Sequence, residues 1–326
     1  MGLKVILLLA IGQVDLKSIE QKFVQIGEVI KPSVVAIQTY KVLKSPDGEE
    51  VVRVTNSNGS GFIANSGGFI VTNYHVVENS DAIEVIMHDK KSYTGTVFNY
   101  DSRRDIAIIK INVQNLVTAK YEDDEIQVGQ WSFVCGNPFG LASYDGQCSL
   151  THGIISALNR DMTDRFSQPE SNRYYGDMIE TTAVISPGNS GGGLFNIDGE
   201  IIGIVTGVEV SSKSMRDHGF AIPLNSNNRK IINRMIEGDK PSRPYMGVVV
   251  IDSMSPRGAK VIDINIPQID LMIDDVITQF NSVDVLDHNH LIRLVENTAI
   301  DSLARVVYVR GKTTQKTSVK IKSKEN

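Results

Sequence analysis

Three consecutive glycines, Gly191, Gly192 and Gly193, directly after a serine constrain this chain more than any other feature. They end the run Ser186-Pro187-Gly188-Asn189-Ser190-Gly191-Gly192-Gly193, which satisfies the pattern G-x-S-x-G from Gly188 to Gly192. Where that pattern forms a nucleophile elbow, a helix follows the serine. Here each following glycine costs a helix about 1 kcal/mol relative to alanine. The chain then continues Leu194-Phe195-Asn196-Ile197-Asp198-Gly199-Glu200-Ile201-Ile202-Gly203-Ile204-Val205, two apolar stretches around an Asp-Gly turn. The segment therefore reads as a serine on a loop between β-strands. A phosphate-binding loop is excluded, because the closing Lys-Ser/Thr is missing and the run holds no cation. An ordinary glycine-rich turn is the plain alternative. On the other reading, the glycines keep the backbone bare around one hydroxyl, as a nucleophile flanked by N–H donors for an oxyanion requires.

With 326 residues, the chain is long enough for two domains. From Pro32-Ser33-Val34-Val35-Ala36-Ile37 to about Pro223 it reads as all β. Short apolar runs such as Phe69-Ile70-Val71, Ile83-Glu84-Val85-Ile86, Ile106-Ala107-Ile108-Ile109 and Gly153-Ile154-Ile155 alternate with Gly, Asn and Asp turns. A polar amphipathic piece over 15–30 precedes this region, and helical periodicity returns over 227–236. The prolines and charges of 237–244 mark a linker, and a compact α+β module begins at Tyr245. At the start, Lys4 precedes Val5-Ile6-Leu7-Leu8-Leu9-Ala10-Ile11 and Gly12, the charge, apolar run and small residues of a short secretory signal. A buried first strand is the alternative. The expected organisation is a signal segment over 1–12, a main domain over 13–240 and a module over 241–326, in a secreted or periplasmic protein. A formal net charge of -5 supplies no basic surface for nucleic acid. The two cysteines, Cys135 and Cys148, flank one β-loop and read equally as a disulfide or as two separately buried thiols. With no C-x-x-C and no His/Cys cluster, neither a metal nor another cofactor is expected.

An activated serine needs a base and an acid that orients the base. Of the six histidines, His75 stands where Val71-Thr72-Asn73-Tyr74-His75-Val76-Val77 passes from an apolar strand into a turn. Taken alone, it reads as a structural histidine. Asp105, in Arg103-Arg104-Asp105-Ile106-Ala107-Ile108-Ile109, opens an apolar strand, where an unpaired carboxylate would be costly to bury. An imidazole N–H would serve as its partner, and so would Arg103 or Arg104. The order His75, Asp105, Ser190, each on a different β segment, is that of the chymotrypsin-type triad.

These residues, with Gly136-Asn137-Pro138-Phe139-Gly140 and Gly219-Phe220-Ala221-Ile222-Pro223, occur in the order and over the span found in one family. The chain resembles the HtrA/Deg trypsin-like serine proteases with a C-terminal PDZ domain. The resemblance implies a mainly β protein: a chymotrypsin-like double six-stranded β-barrel followed by a small α+β PDZ domain. It also implies cleavage of unfolded or misfolded envelope proteins, and a homo-oligomer, often a trimer. Ser190 would be the nucleophile, His75 the base and then the acid, and Asp105 the group fixing the tautomer of His75. The N–H groups of Gly188 and Ser190 would form the oxyanion hole. A non-proteolytic peptide-binding chaperone or scaffold on the same fold is the alternative from another class.

In proteases of this type, the pocket for the residue before the scissile bond is walled by the strand into the nucleophile loop and the strand after the Asp198-Gly199 turn. Here these walls include Val184, Ile185, Ile204, Val205 and Thr206, none of them charged. A basic side chain would find no partner there, so small and branched apolar residues are expected as substrates. In the C-terminal module, Tyr245-Met246-Gly247-Val248 stands where the family holds a terminal carboxylate, and 287–297 where a helix flanks the peptide groove. Asp274 and Ser282 replace the usual turn glycines. The expected partners are unfolded polypeptides at the serine and peptide C-termini at this groove.

Overall fold

The structure, a computed structural model, describes residues 16–44, 51–122, 125–163, 173–206, 218–266 and 269–325. The expected signal segment over 1–12 lies outside them. The chain divides into two compact units. The first runs to Phe98 and adds Ile106–Leu158 and Met178–Asn225; the second comprises Asn99–Asp105, Asn159–Asp177 and Ser226–Asn326. Two short excursions of the earlier chain are thus grouped with the C-terminal residues.

The first unit opens with helix α1 (Leu16–Ile30), which buries Ile26 and Ile30. Six strands follow: β1 (Val34–Lys44), β2 (Val51–Asn65), β3 (Phe69–Thr72), β4 (Ala82–Ile86), β5 (Ser92–Asp101) and β6 (Ile106–Lys110). They close into a barrel in the order β1-β2-β3-β6-β5-β4, and α2 (Tyr74–Val77) is a single turn after β3. Side chains alternate across a strand, so Val35, Ile37, Ile63, Ile70, Val85 and Ile109 meet in one core. A second set comprises β7 (Lys120–Tyr121), β8 (Trp131–Gly136), β9 (Ser149–Arg160), β10 (Met178–Thr181), β11 (Gly193–Phe195), β12 (Glu200–Thr206) and β13 (Gly219–Pro223), with the short α3 (Ala142–Asp145) after β8. The order β11-β8-β9-β10-β13-β12 is closed by β11 pairing with β12, and β7 adds to β12 in parallel. This ring packs Val134, Ile155, Ile179, Leu194, Ile202, Val205 and Ala221 inside. Two six-stranded barrels, as expected, make up the fold.

The strand pair read around Asp198-Gly199 is β11 and β12. Its turn is organised by Asn196, whose Oδ1 accepts the N–H groups of Asp198 and Glu200, both at 2.9 Å. That local capture by an Asn side chain is the usual device of such turns.

The second unit contains α4 (Ser226–Ile236), β14 (Ser242–Tyr245), β15 (Val248–Met254), β16 (Arg257–Ile264), β17 (Val276–Phe280), β18 (Val283–Asp284), α5 (His288–Glu296), β19 (Leu303–Arg310), β20 (Thr313–Lys320) and β21 (Lys322–Glu325). The main sheet runs β15-β16-β17-β19-β20, β18 pairs with β17, and β14 pairs with β21. Met246, Val261, Leu271, Phe280, Leu291 and Val306 share its core. Helix α5 begins where Asp287 caps it, the carboxylate accepting the N–H of His290 at 2.7 Å. Asp274 (φ 73°) and Ser282 (φ 71°) keep the left-handed backbone that glycine would adopt without strain.

Candidate active site

Ser190 is 5% exposed, on a loop tied to both barrels of the first unit. Within the loop, the Asn189 N–H donates to the Ser186 carbonyl at 3.0 Å and the Gly192 N–H to the Asn189 carbonyl at 2.9 Å. The loop is joined to β12 by Gly191 N–H to the Val205 carbonyl and Val205 N–H to the Gly192 carbonyl, both 2.8 Å. Two of its glycines are required by geometry. Gly188 has φ 99° and Gly191 φ 84°, a region that strains any other residue. A Cβ on Gly188 would also collide with the Asn137 carbonyl, and one on Gly191 with the Ser60 carbonyl and Thr72 Oγ1.

Ser60, which sequence reasoning missed, is the hub of this arrangement. Fully buried on β2, it donates its N–H to the Ser190 carbonyl at 2.8 Å and its hydroxyl to the Gly188 carbonyl at 2.7 Å. Its own hydroxyl oxygen accepts the Asn137 N–H at 2.8 Å, and its carbonyl accepts Thr72 Oγ1 at 2.7 Å. A serine in a glycine-rich strand carries no signal that would have marked it out. Beside it, the Phe139 N–H donates to the Pro187 carbonyl at 2.7 Å. Because a trans peptide is planar, its C=O and N–H point in opposite directions. Fixing the Pro187 carbonyl on Phe139 therefore aims the Gly188 N–H away from Phe139. Phe139 itself takes φ 56°, a strained value for an aromatic residue.

His75 is the second residue of α2, directly beyond β3. The segment leading into it is drawn to the serine loop: Thr72 bonds Ser60, and Asn73 Nδ2 donates to Thr206 Oγ1 at 3.3 Å. Asp105, fully buried with φ 55°, immediately precedes β6. Since Ala107 of β6 pairs with Thr72 of β3, the chain enters β6 at the barrel end where it leaves β3 for His75. Within the second unit, Tyr175 donates its hydroxyl to Asp105 Oδ2 at 2.9 Å, and Arg173 Nε lies 3.7 Å from Oδ1. Arg103 and Arg104, the alternative partners considered for Asp105, form ion pairs with Glu296, and Arg104 also pairs with Asp101.

Of the five expected pocket residues, Val184 is 62% exposed and Ile185 half-buried. Ile204, Val205 and Thr206 are buried, Val205 in the barrel core against which Ile185 packs. Thr151 Oγ1 holds the Val184 carbonyl at 2.7 Å. Cys135 and Cys148 are free, buried thiols. They are neighbours: the hydrogen bond that the Cys135 thiol makes to Cys148, reinforced by burial, pushes the Cys135 thiol well above the usual range. In the second unit, Tyr245 ends β14, Met246 is buried, Gly247 has φ 91° and Val248 begins β15. The Gly247 carbonyl accepts the Asn265 N–H at 2.8 Å.

Residues 59–204 match the family of trypsin-like peptidase domains. A probable periplasmic serine endoprotease, DegP-like, of Chlamydia pneumoniae is 39% identical over 208 residues, 64% of this chain and 39% of that protein. A DegP-like protein of Pseudomonas putida is 32% identical over 85% of this chain and 58% of its own length. The chloroplastic protease Do-like 1 of Arabidopsis thaliana is 29% identical over 90% of this chain and 70% of its own. This chain thus spans well under two thirds of the length of the Chlamydia relative. Among solved structures, an HtrA-type protease, AlgW, with a decapeptide superposes with a TM-score of 0.74 at 26% identity, over 93% of this chain and 99% of that one.

Proposed function

We propose that this chain is an HtrA-type, trypsin-like serine protease, a serine endopeptidase hydrolysing unfolded polypeptides through an acyl-enzyme. The observation that carries this reading is the buried Ser190 on its braced loop, where the Pro187 carbonyl held on the Phe139 N–H turns the Gly188 N–H away from Phe139, an orientation that supports a role for it as an oxyanion donor. In the proposed reaction, Ser190 Oγ attacks the scissile carbonyl while His75 takes its proton. The oxyanion is met by the N–H groups of Gly188 and Ser190, and His75 returns the proton to the leaving amine. Asp105 orients the imidazole and offsets its positive charge. The register of β3 and β6, which brings the start of β6 to the end of β3, supports that role.

The uncharged residues Val184, Ile185 and Thr206 favour small and branched apolar side chains before the cut bond over Lys or Arg. In the second unit, β15 is the edge of its sheet, and its N–H and C=O groups suit an added peptide strand. The Tyr245-Met246-Gly247-Val248 loop at its start would take the peptide's carboxylate. The periplasmic names of the relatives and the resemblance to their family support a place in the cell envelope and a trimeric assembly. The test is hydrolysis of a denatured protein by the wild type beside Ser190→Ala, with the cut sites mapped by mass spectrometry. Equal hydrolysis by the two removes the enzyme assignment, and cuts dominated by Lys, Arg or Phe remove the pocket.

A further inference from the structure

The turn that delivers Asp105 is held by charges contributed from a distant part of the chain. Asp101, fully buried, accepts the N–H groups of Arg103 at 3.1 Å and Arg104 at 3.0 Å on Oδ1, and Arg104 Nη1 at 2.7 Å on Oδ2. Asp101 thereby shapes the turn and pairs with one guanidinium head, that of Arg104. Glu296, the last residue of α5, completes the set: Oε1 accepts Arg103 Nε at 3.3 Å and Oε2 accepts Arg104 Nη2 at 2.8 Å. Arg104 and Glu296 are each only 8% exposed, so solvent offers them little compensation. Arg243 adds a third cation to the cluster, its own pKa lowered by burial and then by Arg103.

The other side of Asp105 is tied to the same arginines. The Arg103 carbonyl accepts the Tyr174 N–H at 2.8 Å, and the Arg103 guanidinium lies 5.3 Å from the centre of the Tyr174 ring. The neighbours of Tyr174 then reach the carboxylate, Tyr175 by hydroxyl at 2.9 Å and Arg173 at 3.7 Å. Asp105 itself sits at φ 55°, a conformation that persists only when its surroundings over-determine it. All of these residues lie within the second unit.

We infer that Glu296 is a positioning residue for the hydrolytic reaction, clamping Arg103 and Arg104 so that Asp105 and the Arg173-Tyr174-Tyr175 segment meet in one fixed arrangement. The inference rests on the role proposed for Asp105 above. Glu296 touches neither substrate nor the reacting atoms, and its effect passes through the backbone of Arg104 and through Tyr174. The helix that flanks the proposed peptide groove thus ends on the turn that carries the triad acid.

The experiment uses the full chain and counts competent sites by stoichiometric labelling of Ser190 with a fluorophosphonate. Hydrolysis of reduced, carboxymethylated α-lactalbumin is then expressed per labelled site. Glu296→Ala is expected to lower kcat per labelled site about 10-fold or more with KM within about two-fold, the signature of misplacement without lost binding. Glu296→Gln, which still offers one acceptor oxygen, should recover part of that loss. Should Glu296→Ala yield no labelled sites, Arg103→Gln is decisive. It leaves Glu296 paired with Arg104, with Arg243 as the cluster's other cation, and should still lower kcat per site. A purely structural role predicts fewer labelled sites with unchanged kcat for each. That result, or a change confined to KM, overturns the inference while Asp105→Asn remains severely impaired. If the wild type is not labelled, or if Ser190→Ala hydrolyses the substrate equally, the proteolytic reading itself fails.

Discussion

The barrel of β1 to β6 closes on itself, whereas the main sheet of the second unit ends at β15 and is left open along that strand. Closure pairs every strand on both sides, so the loops at the barrel's end inherit a backbone that does not yield. Ser60 uses this rigidity, holding the carbonyls of Gly188 and Ser190 by short bonds from a fully buried position. An open edge does the reverse, presenting backbone donors and acceptors with the spacing an extended peptide needs. One architecture suits a site that must be fixed before substrate arrives; the other suits a site completed by its ligand.

The largest effects expected from this contrast lie on the fixed side. Ser190→Ala or His75→Ala should each lower kcat by about 10⁶-fold, and the double variant no further, because the pair acts as a unit. Asp105→Asn should cost about 10⁴-fold. Steady-state kinetics on a denatured protein checks all three, and full activity in any variant removes that residue from the mechanism.

Next come the glycines, which test rigidity directly. Gly191→Ala puts a methyl group against the Ser60 carbonyl and Thr72 at φ 84°, so a loss of roughly 2–4 kcal/mol in urea denaturation is expected together with lost activity. Gly247→Ala also falls at positive φ, 91°, but its nearest neighbour is the Ile266 side chain, at 2.5 Å. A side chain can rotate away where a carbonyl cannot, so the loss should be smaller. Equal losses would break the comparison.

The open edge should respond to the ligand's end group. A peptide with a free apolar C-terminus is expected to bind about 10-fold or more tightly than its amidated form, since charged acceptors gain more from N–H donors. Calorimetry showing equal affinities would leave the second unit without a carboxylate site.

The smallest effect concerns Asp177, whose pKa is raised, chiefly by burial against the opposing pull of Arg293 and a bond from Asn297. Its Oδ1 is buried without a hydrogen-bond partner. The folded protein therefore holds this proton more tightly than the unfolded chain. Stability from the group is present below the ordinary carboxylate range and is lost as pH rises through the raised value. Asp177→Asn should raise Tm at neutral pH, and the gain should vanish in acid. A lower Tm at pH 7 would show that the electrostatic attraction of Arg293 dominates.

Much of the site was legible because its signals are local. The three glycines after Ser190 forbid a helix and the Asp198-Gly199 turn joins two strands, each read from neighbouring residues. Short apolar runs between Gly, Asn and Asp turns likewise announce strands, while the pair of barrels followed from the family resemblance. What remained hidden was carried by the main chain and by distance. The bond from Ser60 to Gly188 spans 128 residues and ends on a carbonyl that every amino acid possesses. The turn of the Pro187 peptide, the open edge of β15 and the joining of Glu296 to Arg103 and Arg104 are equally silent in composition. The sequence by itself determined which side chains can do chemistry and which local shapes the backbone can take, because residue type governs both over a few positions. Only the tertiary structure decided which carbonyl meets which donor and which distant charge neutralises Arg104, because those choices depend on how strands far apart in the chain are brought into register.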